Sequence, residues 1–68
     1  MPEVTLTQAS EIVAMDRSTV FRWVEDGHLP ARRFGIRRDI LIDVADLRGF
    51  AGAHGYRFDE ALATQYAK

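Results

Sequence analysis

Residues 16–27 read Asp16-Arg17-Ser18-Thr19-Val20-Phe21-Arg22-Trp23-Val24-Glu25-Asp26-Gly27, and their pattern decides the fold. Asp16 stands where an N-cap belongs, its carboxylate available to the free N–H groups of a first helical turn. Gly27 stands where a left-handed residue ends a helix. Between them Val20, Trp23 and Val24 recur at i, i+3 and i+4 and form one apolar stripe. Arg17, Ser18, Thr19, Phe21 and Arg22 fall on the other face, toward the N-terminal end. A helix that buries one side and offers Arg, Ser and Thr on the other meets the requirements for reading the major groove of a duplex.

Upstream, Thr5-Leu6-Thr7-Gln8 matches a capping box, in which Thr5 accepts from the amide of Gln8 and Gln8 reaches back. Ala9, Ile12 and Val13 then give a short apolar face. A helix of this length does not persist alone and needs the rest of the domain to hold it. Ala14, Met15 and Asp16 make the turn into the next helix, with Met15 expected to plug the angle between the two. Two short helices joined this way predict a helix-turn-helix unit.

Downstream, Leu29 is expected under the helix pair, and Pro30 blocks helical continuation. Residues 31–34 read as a short strand, Gly35 opens a turn, and Ile40-Leu41-Ile42 returns as a β-branched strand. The tip carries Arg37 and Arg38, so the hairpin reads as a wing whose guanidiniums reach phosphates or the minor groove. The competing reading is an edge hairpin whose charges only prevent strand-to-strand aggregation. Asp43 then caps a third helix, with Val44, Leu47 and Phe50 on its buried face and Asp46 in its first turn. Trp23, Ile42, Leu47 and Phe50 are expected to meet in one core. The tail repeats apolar residues at Phe58, Leu62 and Tyr66, with Ala61 alongside, which predicts an amphipathic fourth helix. The expected division is 1–55 for the DNA-binding unit and 56–68 for the helical tail. That tail either packs on its own domain or associates with another copy. The fold class expected is α+β, mainly α: a helix-turn-helix, a two-stranded wing, a third helix and a C-terminal fourth helix.

The chain has 68 residues, no cysteine and a formal net charge of −1. A domain this small is marginal and here has no disulfide or thiolate–metal staple. Its charge is polarised. Arg17, Arg22, Arg32, Arg33, Arg37 and Arg38 stand against only Glu25 and Asp26 in residues 17–38, while the remainder is acidic. Such a basic face suits phosphates, and the acidic rear suits solubility. A solvated charged surface would account for the same cluster without a ligand. The candidate DNA-binding residues are Arg17, Ser18, Thr19, Phe21, Arg22, Arg33, Arg37 and Arg38. No apolar run spans a bilayer and the N-terminus has no secretory pattern, so a cytoplasmic protein is expected.

The segments T5-x-x-Q8-A9-S10-E11-I12-V13, D16-R17-S18-T19-V20-F21-R22-W23-V24, G27-H28-L29-P30-A31 and I42-D43-x-x-D46-L47 resemble the winged helix-turn-helix of phage excisionases, the recombination directionality factors. Small MerR-like regulators share that unit. The similarity covers residues 4–50 and is most specific in S-T-V-F-R-W and G-H-L-P-A. It implies that Arg17, Ser18, Thr19, Phe21 and Arg22 face the major groove and that wing arginines, here Arg37 and Arg38, touch the backbone. There are two departures. The stretch from Gly35 to Asp46 is longer than is usual, and Phe21 replaces a common Tyr, exchanging a phosphate-reaching hydroxyl for contact with a thymine methyl or a sugar.

The full MerR proteins continue into a long dimerising helix and an effector pocket, for which this chain is too short. The resemblance therefore implies an excisionase that binds near a phage attachment site, bends DNA and directs a tyrosine integrase toward excision, with self-association on DNA. A small transcription regulator is the alternative, and a protein-interaction module built on the Phe58-Leu62-Tyr66 stripe is a third reading. No enzyme, metal or cofactor is expected. His28 and His54 lack a cysteine companion or H-x-x-x-H spacing, and Gly49, Gly52 and Gly55 do not follow a strand.

Overall fold

A computed structural model describes residues 2–36 and 39–67. The element order is β1 (Glu3–Thr5), α1 (Leu6–Val13), α2 (Arg17–Glu25), β2 (Arg32–Phe34), β3 (Asp39–Asp43), α3 (Val44–His54) and α4 (Glu60–Tyr66). The helix-turn-helix, the wing strands and both later helices are where the sequence puts them, and the fold is a small, mostly helical α+β winged helix-turn-helix.

The wing hairpin is the edge of a larger sheet. Three antiparallel strands lie in the order β1-β3-β2, so β3 has a neighbour on each side. The strand Glu3–Thr5 is absent from the sequence reading because three residues carry no measurable alternation; its pairing partners lie at 41–43, far along the chain. The register explains which side chains go inward. Val4 opposes Ile42 and Arg33 opposes Ile40, so these share one face; Glu3, Thr5, Arg32, Phe34, Leu41 and Asp43 share the other. Val4, Ile40 and Ile42 are accordingly buried.

The capping box closes α1 as expected: Gln8 N–H donates to Thr5 Oγ1 at 3.2 Å and Thr5 N–H to Gln8 Oε1 at 3.0 Å. The following turn is made by Ala14 in the left-handed region, φ 56°, with Met15 N–H reaching back to Ser10 O at 3.0 Å. Asp16 takes the N-cap position of α2, but its carboxylate accepts no hydrogen bond there, contrary to expectation; only its carbonyl engages the first turn, through Thr19 and Val20 N–H. Gly27 does end the helix, at φ 79°, and lets His28 N–H return to Trp23 O at 2.9 Å. Leu29 is buried beneath the pair. Asp43 caps α3 through Ala45 N–H at 2.8 Å.

The core joins Ala9, Ile12 and Val13 of α1, Val20 of α2, Ile42 of β3, and Leu47 and Ala51 of α3. Trp23 and Phe50 pack against it rather than within it, their rings 4.8 Å apart, and Tyr56 stacks on Trp23 at 5.0 Å. The tail lies back on α1. Asp59 N–H donates to Ile12 O at 3.0 Å, Tyr66 O–H donates to Glu11, and Arg48 grips Glu60 through two hydrogen bonds of 3.0 and 2.9 Å. Phe58, Leu62 and Tyr66 are half-buried against the core. The alanine that enters it is Ala63; Ala61, expected beside the stripe, is exposed, because the helix begins only at Glu60 and its inward arc is set by Asp59 and Ile12.

Candidate nucleic-acid interface

The exposed side of α2 follows from the helical wheel. Arg17, Phe21, Glu25, Ser18 and Arg22 fall within one arc of about 140°, and Thr19, Trp23, Val20 and Val24 occupy the opposite one. The first five are exposed and Val20 is fully buried. Thr19, at the boundary of the two arcs, is half-buried and stands on the flank of the face rather than at its centre.

Arginine pairing separates the basic residues into two groups. Arg32 makes a bidentate contact to Glu3 at 2.7 Å through each nitrogen, Arg33 Nη2 lies 2.8 Å from Glu25 Oε2, Arg48 holds Glu60, and Arg57 lies 3.9 Å from Asp59. Arg17 and Arg22 form no ion pair among the described residues. Hydrogen bonding to Arg32 holds the Glu3 carboxyl below its usual range, and the same contact raises the Arg32 guanidinium. The basic cluster read from the sequence is thus partly spent inside the chain. Among the described residues of that cluster, the two arginines without an ion-pair partner, Arg17 and Arg22, sit on the exposed arc of α2.

Of the wing candidates, Arg33 is on the inward face of β2 and is directed to the end of α2 by Glu25. Arg37 and Arg38 lie outside the described residues. An open groove runs between the two helix starts and the wing, with Arg17, Ser18 and Phe21 on one wall, Asp39 and Ile40 on another, and Thr5 at the end of β1 and Thr7 in α1. The exposed face of α2 and the base of the wing are therefore contiguous.

Glu25 was not picked out in the sequence, although its wheel position between Phe21 and Ser18 places it on the same face. It adds the one acid on that arc and is matched by Arg33. The described residues contain no group of three or more His, Cys, Asp or Glu that could hold a metal ion, and no helix is long and apolar enough to cross a membrane.

No curated protein and no solved structure matches this chain. Its residues 3–55, which run from β1 through α3, match the family model described as a helix-turn-helix domain. That span contains every element that forms the face described above. The chain belongs to the helix-turn-helix domain family, DNA-binding domains found in excisionases and other small proteins that bind double-stranded DNA.

Proposed function

We propose that the protein is an excisionase that reads a site beside a phage attachment site, bends the DNA and directs a tyrosine integrase toward excision. The observation that carries the DNA-reading part is the pairing pattern. Four of the described arginines are paired with Glu3, Glu25, Glu60 and Asp59, whereas Arg17 and Arg22 on α2 have no ion-pair partner among the described residues. An arginine with a free planar fork gives a bidentate contact to guanine O6 and N7, or a phosphate clamp. Ser18, between them on the arc, offers a hydroxyl to a base or phosphate, and Phe21 offers an apolar edge to a thymine methyl. Thr19 supports this face from its flank.

The finer assignment rests on the resemblance of S-T-V-F-R-W and G-H-L-P-A to excisionases. In this reading the chain catalyses nothing. It acts in the cytoplasm of a bacterial host, loads as several copies on adjacent sites, and shapes the substrate on which the integrase works. Footprinting on attachment-site DNA tests it. A ladder of regularly spaced protected sites, with excisive recombination stimulated in the presence of integrase, is the expected result; one isolated palindrome with no effect on recombination rejects it. A small MerR-like transcription regulator would use the same α2 face, since the family includes other small DNA-binding proteins. It predicts that single protected site at a promoter, with a change in transcript level.

A further inference from the structure

Among the described residues, the wing turns two large apolar side chains toward solvent near its tip. Ile36 is fully exposed at 101% and Phe34, two residues earlier, is 58% exposed. Tips of hairpins are ordinarily filled by Gly, Asn, Asp, Ser or Pro, which supply turn geometry and tolerate water. Here Gly35 supplies the turn, with φ 79°, and Ile36 stands beyond it in solvent. Isoleucine is stiff at χ1, so it loses little rotamer freedom when it is buried.

The surroundings of the tip narrow the choice of partner. The guanidinium of Arg32 lies 5.5 Å from the Phe34 ring centroid and is itself paired with Glu3, so the charge beside the apolar surface is already met within the chain. Phe34 pairs with Asp39, and Asp39 lines the groove shared with Arg17, Ser18 and Phe21. A duplex engaged by α2 therefore passes next to the tip. One isoleucine and one phenylalanine cannot supply the roughly 800 Å² per partner that a stable protein interface requires. They do match a minor groove, which is about 6 Å wide, lined by phosphates at its lips and able to admit an apolar wedge between base steps.

The geometry points to Ile36, backed by Phe34, as a wedge that enters the minor groove beside the α2 site, partly unstacks one base step and bends the duplex. This deepens the DNA-binding reading of the same face and rests on it. It gives the wing a role different from phosphate contact: an apolar contact whose effect is read as DNA shape.

The test uses the full chain and a duplex enriched from a random-sequence pool by the wild-type protein. 2-Aminopurine is placed in turn at each adenine of the site's flanks, and bending is followed by end-to-end energy transfer. Wild type should raise the fluorescence at one flanking step several-fold and shorten the end-to-end distance. Ile36→Ala should abolish the fluorescence rise, reduce the bend and weaken binding about tenfold, a loss of about 1.4 kcal/mol; Ile36→Leu should restore all three. Because Ile36 is fully exposed, its replacement leaves folding intact. An Ile36→Ala protein that still unstacks and bends the duplex overturns the wedge, as does a change confined to self-association of the free chain. If the wild-type chain enriches no duplex at all, the DNA-binding reading falls first and the wedge with it.

Discussion

Arg33 and Glu25 close a 2.8 Å ion pair between the wing strand β2 and the last turn of α2. Both side chains are well exposed, so the pair adds little to stability. Its effect is on charge: it withdraws one arginine from the basic cluster and masks the one acid on the exposed arc of α2. Glu25→Gln should free Arg33 and strengthen binding to any duplex. The dependence of log affinity on log salt should steepen by about one unit, as one further phosphate contact predicts. Titrations of wild type and variant over a range of salt concentrations measure it, and an unchanged slope would leave Arg33 out of reach of DNA.

Arg22 is the exposed arginine farther along α2 and has no ion-pair partner among the described residues. Arg22→Ala should cost roughly 1–3 kcal/mol of discrimination between the selected site and random duplex. Competition binding with both duplexes gives the number. An equal loss on the two would make Arg22 a phosphate anchor, and the base-reading role would pass to Arg17 and Ser18.

How much of this was legible depends on the range of each interaction. The Thr5–Gln8 box, the Asp43 cap and the Gly27 stop are set within a few residues, and each stands where its local pattern puts it. The burial of Val20 was legible because periodicity reports it, and that of Leu29 because an apolar residue just past the Gly27 stop can fold back under the helix pair. The strand Glu3–Thr5 was not, since it exists only by pairing with β3, and neither was the Arg32–Glu3 contact, whose partners are 29 residues apart. Counting arginines revealed a basic segment but not which of them are spent on Glu3, Glu25 and Glu60. The missing Asp16 cap marks the opposite failure, a correct position whose side chain does not do what its type usually does.

Ala14 holds φ 56° in the turn between α1 and α2, a left-handed conformation that an L side chain adopts at a cost of roughly 1–2 kcal/mol. Ala14 is exposed, so no packing is lost when its methyl is removed. Ala14→Gly should therefore stabilise the fold, by about 0.5–1 kcal/mol once the greater freedom of glycine in the unfolded chain is offset. Thermal unfolding checks this. A lower melting temperature would show that the turn carries no such strain.

α4 covers part of the core: Ala63 is 2% exposed, and Phe58 and Leu62 pack beside it. Truncation after Gly55 should uncover Ile12 and its neighbours and remove the Arg48–Glu60 contact. The expected loss is at least about 2 kcal/mol, the scale of one large apolar side chain returned to water. Ala63→Asp in the full chain should act in the same direction, since it puts a charge where the native residue is 2% exposed. Urea unfolding of both proteins is the measurement; a truncated chain as stable as the whole would assign the tail to association alone.

The Glu3–Arg32 contact gives a pH dependence whose sign can be worked out. Hydrogen bonding to Arg32, reinforced by its charge, lowers the Glu3 carboxyl from its ordinary 4.5. A carboxyl with a lower value in the folded chain binds fewer protons there than in the unfolded chain near that pH, so stability falls as pH falls. The contribution is fully present above the ordinary value and is lost as pH drops through the lowered one. Glu3→Gln should lower stability near neutral pH and flatten this limb, leaving the rest of the acid transition in place. Because the contact ties β1 to β2 across the outward side of β3, amide exchange should quicken first at the Val4–Ile42 pairing in the variant. Parallel acid limbs for the two proteins would mean that the contact contributes nothing to the folding equilibrium.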